Sequence, residues 1–247
     1  MRIIVEHGQT DSAPVVVTRT EEPVYRHEYK YLVSNAQLVI LQTRIQGLMP
    51  PDPHAQYGHY NIRSLYFDDY HNSCYYANEF GLDHRAKYRI RIYNHSAERI
   101  QLELKRKDRG KTLKSACRIT RSQAENLISG QPIRDASPNQ TLLRDFRAAM
   151  LSAKLHPAVI VEYERFPFIY RAGNVRATFD TSVSSSSDFQ SFFQPRINKR
   201  PILPAGMQLL EVKFDAFLPD AVYHSLQLDN LWQTAFSKYY LCRKYAL

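Results

Sequence analysis

The sequence of 247 residues has few cysteines, no long apolar run and no glycine-rich nucleotide motif. Cys74, Cys117 and Cys242 are far apart and form no Cys-x-x-Cys pair, which argues against a disulfide framework or a thiolate zinc site and indicates a reducing compartment. No stretch approaches the ~20 apolar residues of a membrane helix, and no signal peptide is evident. Neither Gly-x-x-x-x-Gly-Lys nor Gly-x-Gly-x-x-Gly occurs, so a P-loop or Rossmann nucleotide site is unsupported. We therefore expect a cytoplasmic protein without a membrane span of its own.

Acidic residues are scarce in one region only. The chain has 33 Lys and Arg against 24 Asp and Glu, a formal charge of +9. Residues 85–118 contain twelve of these cations and three of the acids, so the rest of the chain balances 21 against 21. The surplus therefore predicts one local anion site rather than a generally basic surface.

Within this region, Arg85–Arg91 reads Arg-Ala-Lys-Tyr-Arg-Ile-Arg, with a cation at every second position. This alternation predicts a β-strand with one cationic face. Neighbouring cations on that face are roughly 7 Å apart and repel by about 2.4 kcal/mol per pair at an effective dielectric of ~20. If the face is enclosed, it needs an anion. The alternative is a solvated outer face of a two-sided sheet.

Other segments share this pattern of one charged and one apolar face. Strands are predicted at 25–33, 60–68, 100–107, 114–120, 158–165, 174–180 and 209–214, and amphipathic helices near 34–50, 121–130, 139–155 and 220–236. The serine run at 184–187 predicts a loop. Residues 1–22 are expected to be a partly mobile lead, and 23–247 a single domain.

The combination predicts an α+β fold, because the strands and the helices both need an apolar surface to cover. A closed antiparallel β-barrel of about eight strands satisfies both, with a charged interior and amphipathic helices flanking it. Tyr29, Tyr66, Tyr88 and Tyr163 are expected to pack in the core or the tunnel wall. The expected charged lining is Lys30, Arg89, Arg91, Lys105, Arg176 and Lys213, with Glu28, Glu103 and Glu211 among them.

Eight short motifs between residues 23 and 243 resemble those of the VTC domain. This family is the polyphosphate-polymerase branch of the triphosphate tunnel metalloenzymes, also called the CYTH-like superfamily. The motifs are Tyr-Arg-His-Glu-Tyr-Lys-Tyr (25–31), Ser-Leu-Tyr-Phe-Asp (64–68), Arg-Ala-Lys-Tyr-Arg-Ile-Arg (85–91), Leu-Glu-Leu-Lys (102–105), Glu-Tyr-Glu-Arg (162–165), Arg-Ala-Thr-Phe-Asp (176–180), Leu-Glu-Val-Lys (210–213) and Phe-Ser-Lys-Tyr (236–239). Each is weak alone, and their order gives the resemblance its strength.

The resemblance implies a tunnel that holds triphosphate or a phosphate chain, with a divalent metal on a tunnel glutamate. The resemblance, together with the charged strand faces, assigns catalysis to Lys30, Arg89, Arg91, Lys105, Glu211 and Lys238. Substrate binding is assigned to Arg26, Arg85, Lys87, Arg165, Arg176, Lys213 and Ser237. The metal, Mn²⁺ or Mg²⁺, is assigned to Glu211, Glu28 and Glu103.

One departure from the superfamily pattern helps to distinguish a polymerase from a hydrolase. The superfamily's first strand carries Glu-x-Glu-x-Lys, whereas this chain has Arg26 in the first of those positions, before Glu28 and Lys30. The loss of an acid favours the polymerase branch over the hydrolases.

The resulting expectation is a polyphosphate polymerase that transfers the γ-phosphoryl group of ATP to a growing inorganic polyphosphate chain. The alternatives are a triphosphate or polyphosphate hydrolase in the same tunnel and a nonenzymatic polyphosphate-binding module. Specific nucleic-acid binding is not expected, because acids alternate with the cations. The family resemblance also suggests a membrane-protein partner on the cytosolic side.

Overall fold

A computed structural model describes residues 26–55, 57–109, 111–131, 133, 140–227 and 231–245. In these residues nine strands form one antiparallel sheet, in the order β1-β9-β7-β6-β2-β3-β4-β5, with β8 paired to β7. The strands are β1 (His27–Ser34), β2 (Tyr60–Asp68), β3 (Arg85–Tyr93), β4 (Ser96–Asp108), β5 (Lys111–Ile119), β6 (His156–Tyr170), β7 (Val175–Ser186), β8 (Arg200–Pro201) and β9 (Met207–Phe214). The predicted α+β class is confirmed, and the predicted lead at 1–22 lies outside the described residues.

Six α-helices accompany the sheet in the described residues. They are α1 (Asn35–Gln46), α2 (Ser73–Glu79), α3 (Arg121–Ile128), α4 (Thr141–Ser152), α5 (Asp220–Ser225) and α6 (Lys238–Lys244). Helices α1 and α3 begin at capping boxes, formed by Ser34 with Gln37 and by Thr120 with Gln123. None of the described helices is long and apolar enough to span a bilayer.

The alternation at residues 85–91 forms strand β3, as predicted. Asn94 and His95, both with positive φ, form the two-residue turn into β4, as expected for a tight hairpin. The register places Arg89 opposite Glu103 and Lys87 opposite Lys105. The two strands are therefore antiparallel, as predicted, and their register puts the charged side chains of adjacent strands side by side.

Two apolar clusters lie under helices on one face of the sheet. One contains Ile90, Leu102 and Phe146, and joins β3 and β4 to α4. The other contains Leu41 and Leu210, and joins β9 to α1. We call this the apolar face, and the opposite face, which carries the alternating charges, the charged face.

Helix α6 departs from the expected arrangement because it packs on the charged face. The ring of Tyr239 lies 5.2 Å from that of Tyr66 on β2, and Tyr66 in turn bonds the guanidinium of Arg89. Cys242, also on α6, is fully buried in a third apolar cluster, which includes both of these tyrosines. The helix therefore covers part of the charged face and brings its first residue, Lys238, among the charged groups.

The predicted closed barrel is wrong, since the sheet curls without a continuous ladder between its edge strands β1 and β5. A single bridge joins Arg26 to Thr112. Further along β1, Gln233 bridges Tyr31, and the Thr234 amide donates to the Lys30 carbonyl over 2.8 Å. Gln233 and Thr234 thus occupy the edge of β1 with which β5 would have to pair to close the barrel.

The same pairing explains why the helix predicted at 220–236 forms only in its first part. Helix α5 ends at Ser225, and residues 231–237 are not helical, because their backbone bonds to β1. The loop predicted at the serine run is also wrong. Ser184–Ser186 continue β7, buried between β6 and the short strand β8. Ladder bonds on both sides outweigh the low strand propensity of serine.

Candidate functional site

Glu28 on β1 gathers three lysines from three strands. Its carboxylate lies 2.9 Å from Lys105 Nζ on β4, 3.3 Å from Lys213 Nζ on β9 and 3.7 Å from Lys30 Nζ. Strands β1 and β4 are not neighbours, so the Lys105 contact joins the two ends of the curled sheet. Burial raises the pKa of Glu28, but the charges of Lys105, Lys30 and Lys213 outweigh it and hold the pKa well below the ordinary value.

Glu211 on β9 forms the centre of a second group. Its carboxylate contacts Lys238 Nζ at 2.5 Å, Lys213 Nζ at 3.2 Å and Arg165 Nη2 at 3.3 Å. Burial raises the pKa of Glu211, and these three cations, Lys238 foremost, lower it well below the ordinary value. The Lys213 ammonium contacts both Glu28 and Glu211, so it connects the two groups.

Asp180 on β7 belongs to this second group and was not among the predicted site residues. Its two oxygens accept from Arg165 Nε and Nη2 at 2.6 and 2.7 Å, and Lys238 Nζ lies 2.6 Å away. Arg165 and Asp180 are register partners on neighbouring strands, which fixes the paired geometry. Burial lowers the pKa of Lys238, but Asp180 and Glu211 raise it above its ordinary value, so the ammonium stays charged.

Glu103 on β4 forms a third, separate group. It accepts from Arg89 Nε at 2.7 Å and lies 3.1 Å from Lys114 Nζ and 3.9 Å from Arg91 Nη1. Its side chain is inaccessible to solvent, which raises its pKa, but the three cations hold the pKa far below 4.5. Lys114, on β5, is a member that the site prediction missed, although a strand was predicted at 114–120.

Hydroxyl groups support the two arginines of β3. Arg89 Nη1 donates to Tyr66 Oη at 2.7 Å, and Arg91 Nε donates to Ser64 Oγ at 3.0 Å. Both hydroxyls belong to β2, whose register sets Tyr66 opposite Arg89 and Ser64 opposite Arg91. The strand pairing therefore fixes both guanidinium groups in place.

Other predicted residues lie toward the edges of this assembly. Arg26 pairs with Asp215 at 2.8 Å, away from Glu28, and Arg176 bonds Asp52 and the Tyr60 hydroxyl, each at 2.7 Å. Arg85 and Lys87 have no carboxylate partner in the ion pairs of the described chain. Arg85 bonds Asn78, and Lys87 lies near Ser237. The hydroxyl of Ser237 caps α6.

The depressed pKa values of Glu28, Glu103 and Glu211 have a consequence for stability. A carboxylate whose folded-state pKa lies below its unfolded value stabilises the fold above that unfolded value, near 4.5. This contribution is lost as the pH falls through the folded-state values. The ion pairs are therefore complete at neutral pH.

A divalent cation fits two of the three predicted ligands. The described residues contain no cluster of three or more His, Cys, Asp or Glu side chains suited to a metal. Glu28 and Glu211 nevertheless approach a common point, occupied by the Lys213 ammonium, whereas Glu103 lies in the separate group. Mg²⁺ is commonly bound by one or two carboxylates together with substrate phosphates and water, so this pair of acids suits such an ion.

The fold and these groups define an α+β protein whose charged face carries a dense set of ion pairs. The sequence matches the VTC domain family over residues 25–247. The chain belongs to the VTC domain family.

Comparison with solved structures finds several matches of low sequence identity. A proposed adenylyl cyclase from Hippeastrum with a dominant triphosphatase activity is 12% identical, with 90% of this chain and 95% of that chain covered and a TM-score of 0.49. A proposed adenylate cyclase from Bacillus halodurans is 16% identical, with 82% and 87% covered and a TM-score of 0.46. No curated protein matches the chain in sequence.

Proposed function

We propose that the protein is a metal-dependent polyphosphate polymerase, which transfers the γ-phosphoryl group of ATP to a growing polyphosphate chain. The observation that carries this proposal is the meeting of cations from six strands and one helix on the charged face of a VTC domain. They are Lys30, Arg89, Arg91, Lys105, Lys114, Arg165, Lys213 and Lys238. Such an array suits a linear polyanion better than a single small anion.

The phosphate chain would lie along the inside of the curl. The contact between Lys105 and Glu28 supports this position, because it brings the two ends of the sheet toward each other on the charged side. Helix α6 then covers part of the same side and contributes Lys238. A chain placed there would be surrounded by cations from several directions.

Phosphoryl transfer requires mainly positioning and neutralisation of charge, with no side-chain nucleophile. Arg89 and Arg91 use only some of their five N–H donors on Glu103, Tyr66, Ser64 and Tyr163, so the others are available to phosphate oxygens. Lys238 and Lys105 would add charge on either side of the reacting phosphates. The acids hold these cations in position before the substrate binds.

Glu211 and Glu28 are the residues that would hold Mn²⁺ or Mg²⁺. When bound, such an ion neutralises charge on phosphate oxygens and orients them for in-line attack. Binding requires the Lys213 ammonium, which now lies between the two carboxylates, to move toward phosphate. A lysine side chain has the rotational freedom for that exchange.

The acceptor in this proposal is a phosphate chain rather than water. A hydrolase needs a base beside the metal to activate water, and the position where the superfamily has a further acid is Arg26, which pairs with Asp215. An anionic acceptor is repelled by ATP, and closely spaced cations offset that repulsion. A cytoplasmic location remains an expectation from the cysteine content of the sequence, and a membrane-protein partner remains an expectation from the family.

Replacement of Arg91 by alanine is expected to weaken tripolyphosphate binding at least tenfold. The change removes charge-assisted hydrogen bonds worth roughly 1.5 kcal/mol or more. Isothermal titration calorimetry of the wild type and the Arg91→Ala variant measures the difference. The matched control is Arg121→Ala on α3, whose side chain is exposed and pairs with Glu125 within its own helix.

The control variant is expected to bind as the wild type does. Equal affinity in all three proteins would mean that the charged face of β3 does not contact phosphate, and the proposed site would be wrong.

A further inference from the structure

Lys87 differs from the lysines around it because its amine has no acidic partner. Lys30, Lys105, Lys213 and Lys238 each pair with a carboxylate, whereas no ion pair involving Lys87 occurs among the described residues. Its Nζ lies 3.5 Å from Ser237 Oγ and 4.7 Å from the centre of the Tyr239 ring. A lysine that only packs its stem keeps its ammonium in water, but this amine faces a hydroxyl and a ring on α6.

The groups that face Lys87 are mostly cations. Its own strand contributes Arg85, β4 contributes Lys105 directly opposite, and β1 contributes Lys30. Lys107 lies opposite Arg85, one pair further along. Glu28 offsets part of the charge of Lys105 and Lys30, but no acid in the ion pairs of the described residues contacts the Lys87 amine itself.

The remaining neighbours of Lys87 are neutral. Burial and the nearby Asp68 raise the pKa of the Cys74 thiol on α2 to about 12. The same two causes raise the pKa of Tyr239, whose hydroxyl donates to Asp68. Asp68 itself also accepts from the backbone amides of Cys74 and Tyr75, so it is fully engaged away from Lys87.

We infer that Lys87 binds a phosphate group of the substrate chain and acquires its positive charge when the chain binds, so that binding takes up a proton from solution. In the free protein the amine is held among Arg85, Lys105 and Lys30. A phosphate oxygen beside it supplies the negative partner that the Lys87 amine lacks. The Nζ gains one proton from the buffer and donates an N–H to that oxygen, and no other bond changes. This inference rests on the proposed function.

The titration of Lys87 agrees with this geometry. Burial, followed by the charges of Arg85, Lys105 and Lys30, lowers the pKa of Lys87 to about 7. The free protein therefore holds Lys87 largely uncharged above neutral pH. A bound phosphate places negative charge beside the Lys87 amine and raises its pKa, and this shift couples phosphate binding to proton uptake.

The test is calorimetric titration of tripolyphosphate into the wild type and the Lys87→Arg variant, in buffers of different ionisation enthalpy. A guanidinium stays protonated, so the variant keeps the charge and loses the proton uptake. Protonation changes of tripolyphosphate itself are common to both proteins and cancel in the difference. With a pKa of about 7, the wild type should take up about 0.9 proton more per chain than the variant near pH 8, and about 0.1 more near pH 6.

Equal proton uptake by two proteins that both bind would overturn the inference and leave the proposed function standing. No binding by the wild type would overturn both. A second measurement covers a variant that fails to bind or fold: NMR titration of labelled lysine amines in the wild type, with Lys87 assigned from Lys87→Arg or Lys87→Gln. An apparent pKa near 7 that rises with tripolyphosphate supports the inference, and an ordinary value near 10.4 in the free protein overturns it.

Discussion

Replacement of Glu211 by glutamine is expected to lower ATP turnover at least ~100-fold while tripolyphosphate still binds. Glutamine keeps the shape of the side chain and removes the charge that would hold the divalent cation with Glu28. The neighbouring cations each keep an acidic partner: Lys238 and Arg165 retain Asp180, and Lys213 retains Glu28. The variant should therefore fold, and the cations remain available to phosphate.

Steady-state turnover and tripolyphosphate calorimetry on the same preparation separate these two effects. The matched control is Glu164→Gln, because Glu164 is an exposed glutamate on β6. Full activity in Glu211→Gln would mean that Glu28 or Glu103, rather than Glu211, holds the metal. Loss of tripolyphosphate binding would instead mean that Glu211 organises the cations.

Replacement of Asp180 by asparagine is expected to lower the free energy of unfolding by about 3 kcal/mol, because it leaves buried cations with too few acids. Asp180 is inaccessible to solvent and holds Arg165 through two hydrogen bonds and Lys238 through a third contact. In the variant, Arg165 and Lys238 would share Glu211, which also contacts Lys213. Urea denaturation in phosphate-free buffer measures the loss.

Tripolyphosphate should stabilise the Asp180→Asn variant more than the wild type, since the added anion replaces the missing charge and binds more tightly. Asp145→Asn, at an exposed position of α4, is the control and should leave both quantities unchanged. If Asp180→Asn were as stable as the wild type, the conclusion that Asp180 stabilises the fold by neutralising buried Arg165 and Lys238 would be wrong. An equal gain from tripolyphosphate would separate this group from the phosphate site.

The elements that could be predicted from sequence are those with strong local patterns. Alternating cations located β3, and the alternation in strands β1, β4 and β9 identified Glu28, Glu103 and Glu211 as members of one charged face. The resemblance to the VTC domain, confirmed over residues 25–247, added Lys238, which follows no strand pattern. Local periodicity decides such features because each face must be either buried or solvated.

What could not be predicted depends on contacts between distant segments. The pairing of Thr234 with Lys30 both shortens the predicted final helix and leaves the sheet unclosed, and no local signal marks it. Ser184–Ser186 read as a loop because only β6 and β8, supplied by other parts of the chain, make them a strand. Asp180 lies in the strand predicted at 174–180, but its role depends on Arg165 and Lys238, which contact its carboxylate from other elements.

The most direct test of the proposed polymerase is the set of products made from ATP and Mn²⁺. Purified protein is incubated with both, the products are separated on one gel stained for polyphosphate, and ADP and orthophosphate are measured in the same samples. The Glu211→Gln variant is run in parallel to subtract contaminating activity. Long phosphate chains and ADP, with little orthophosphate, are the predicted result. Orthophosphate without chains would contradict the polymerase in favour of a hydrolase, and tight polyphosphate binding without ATP consumption would identify a binding module.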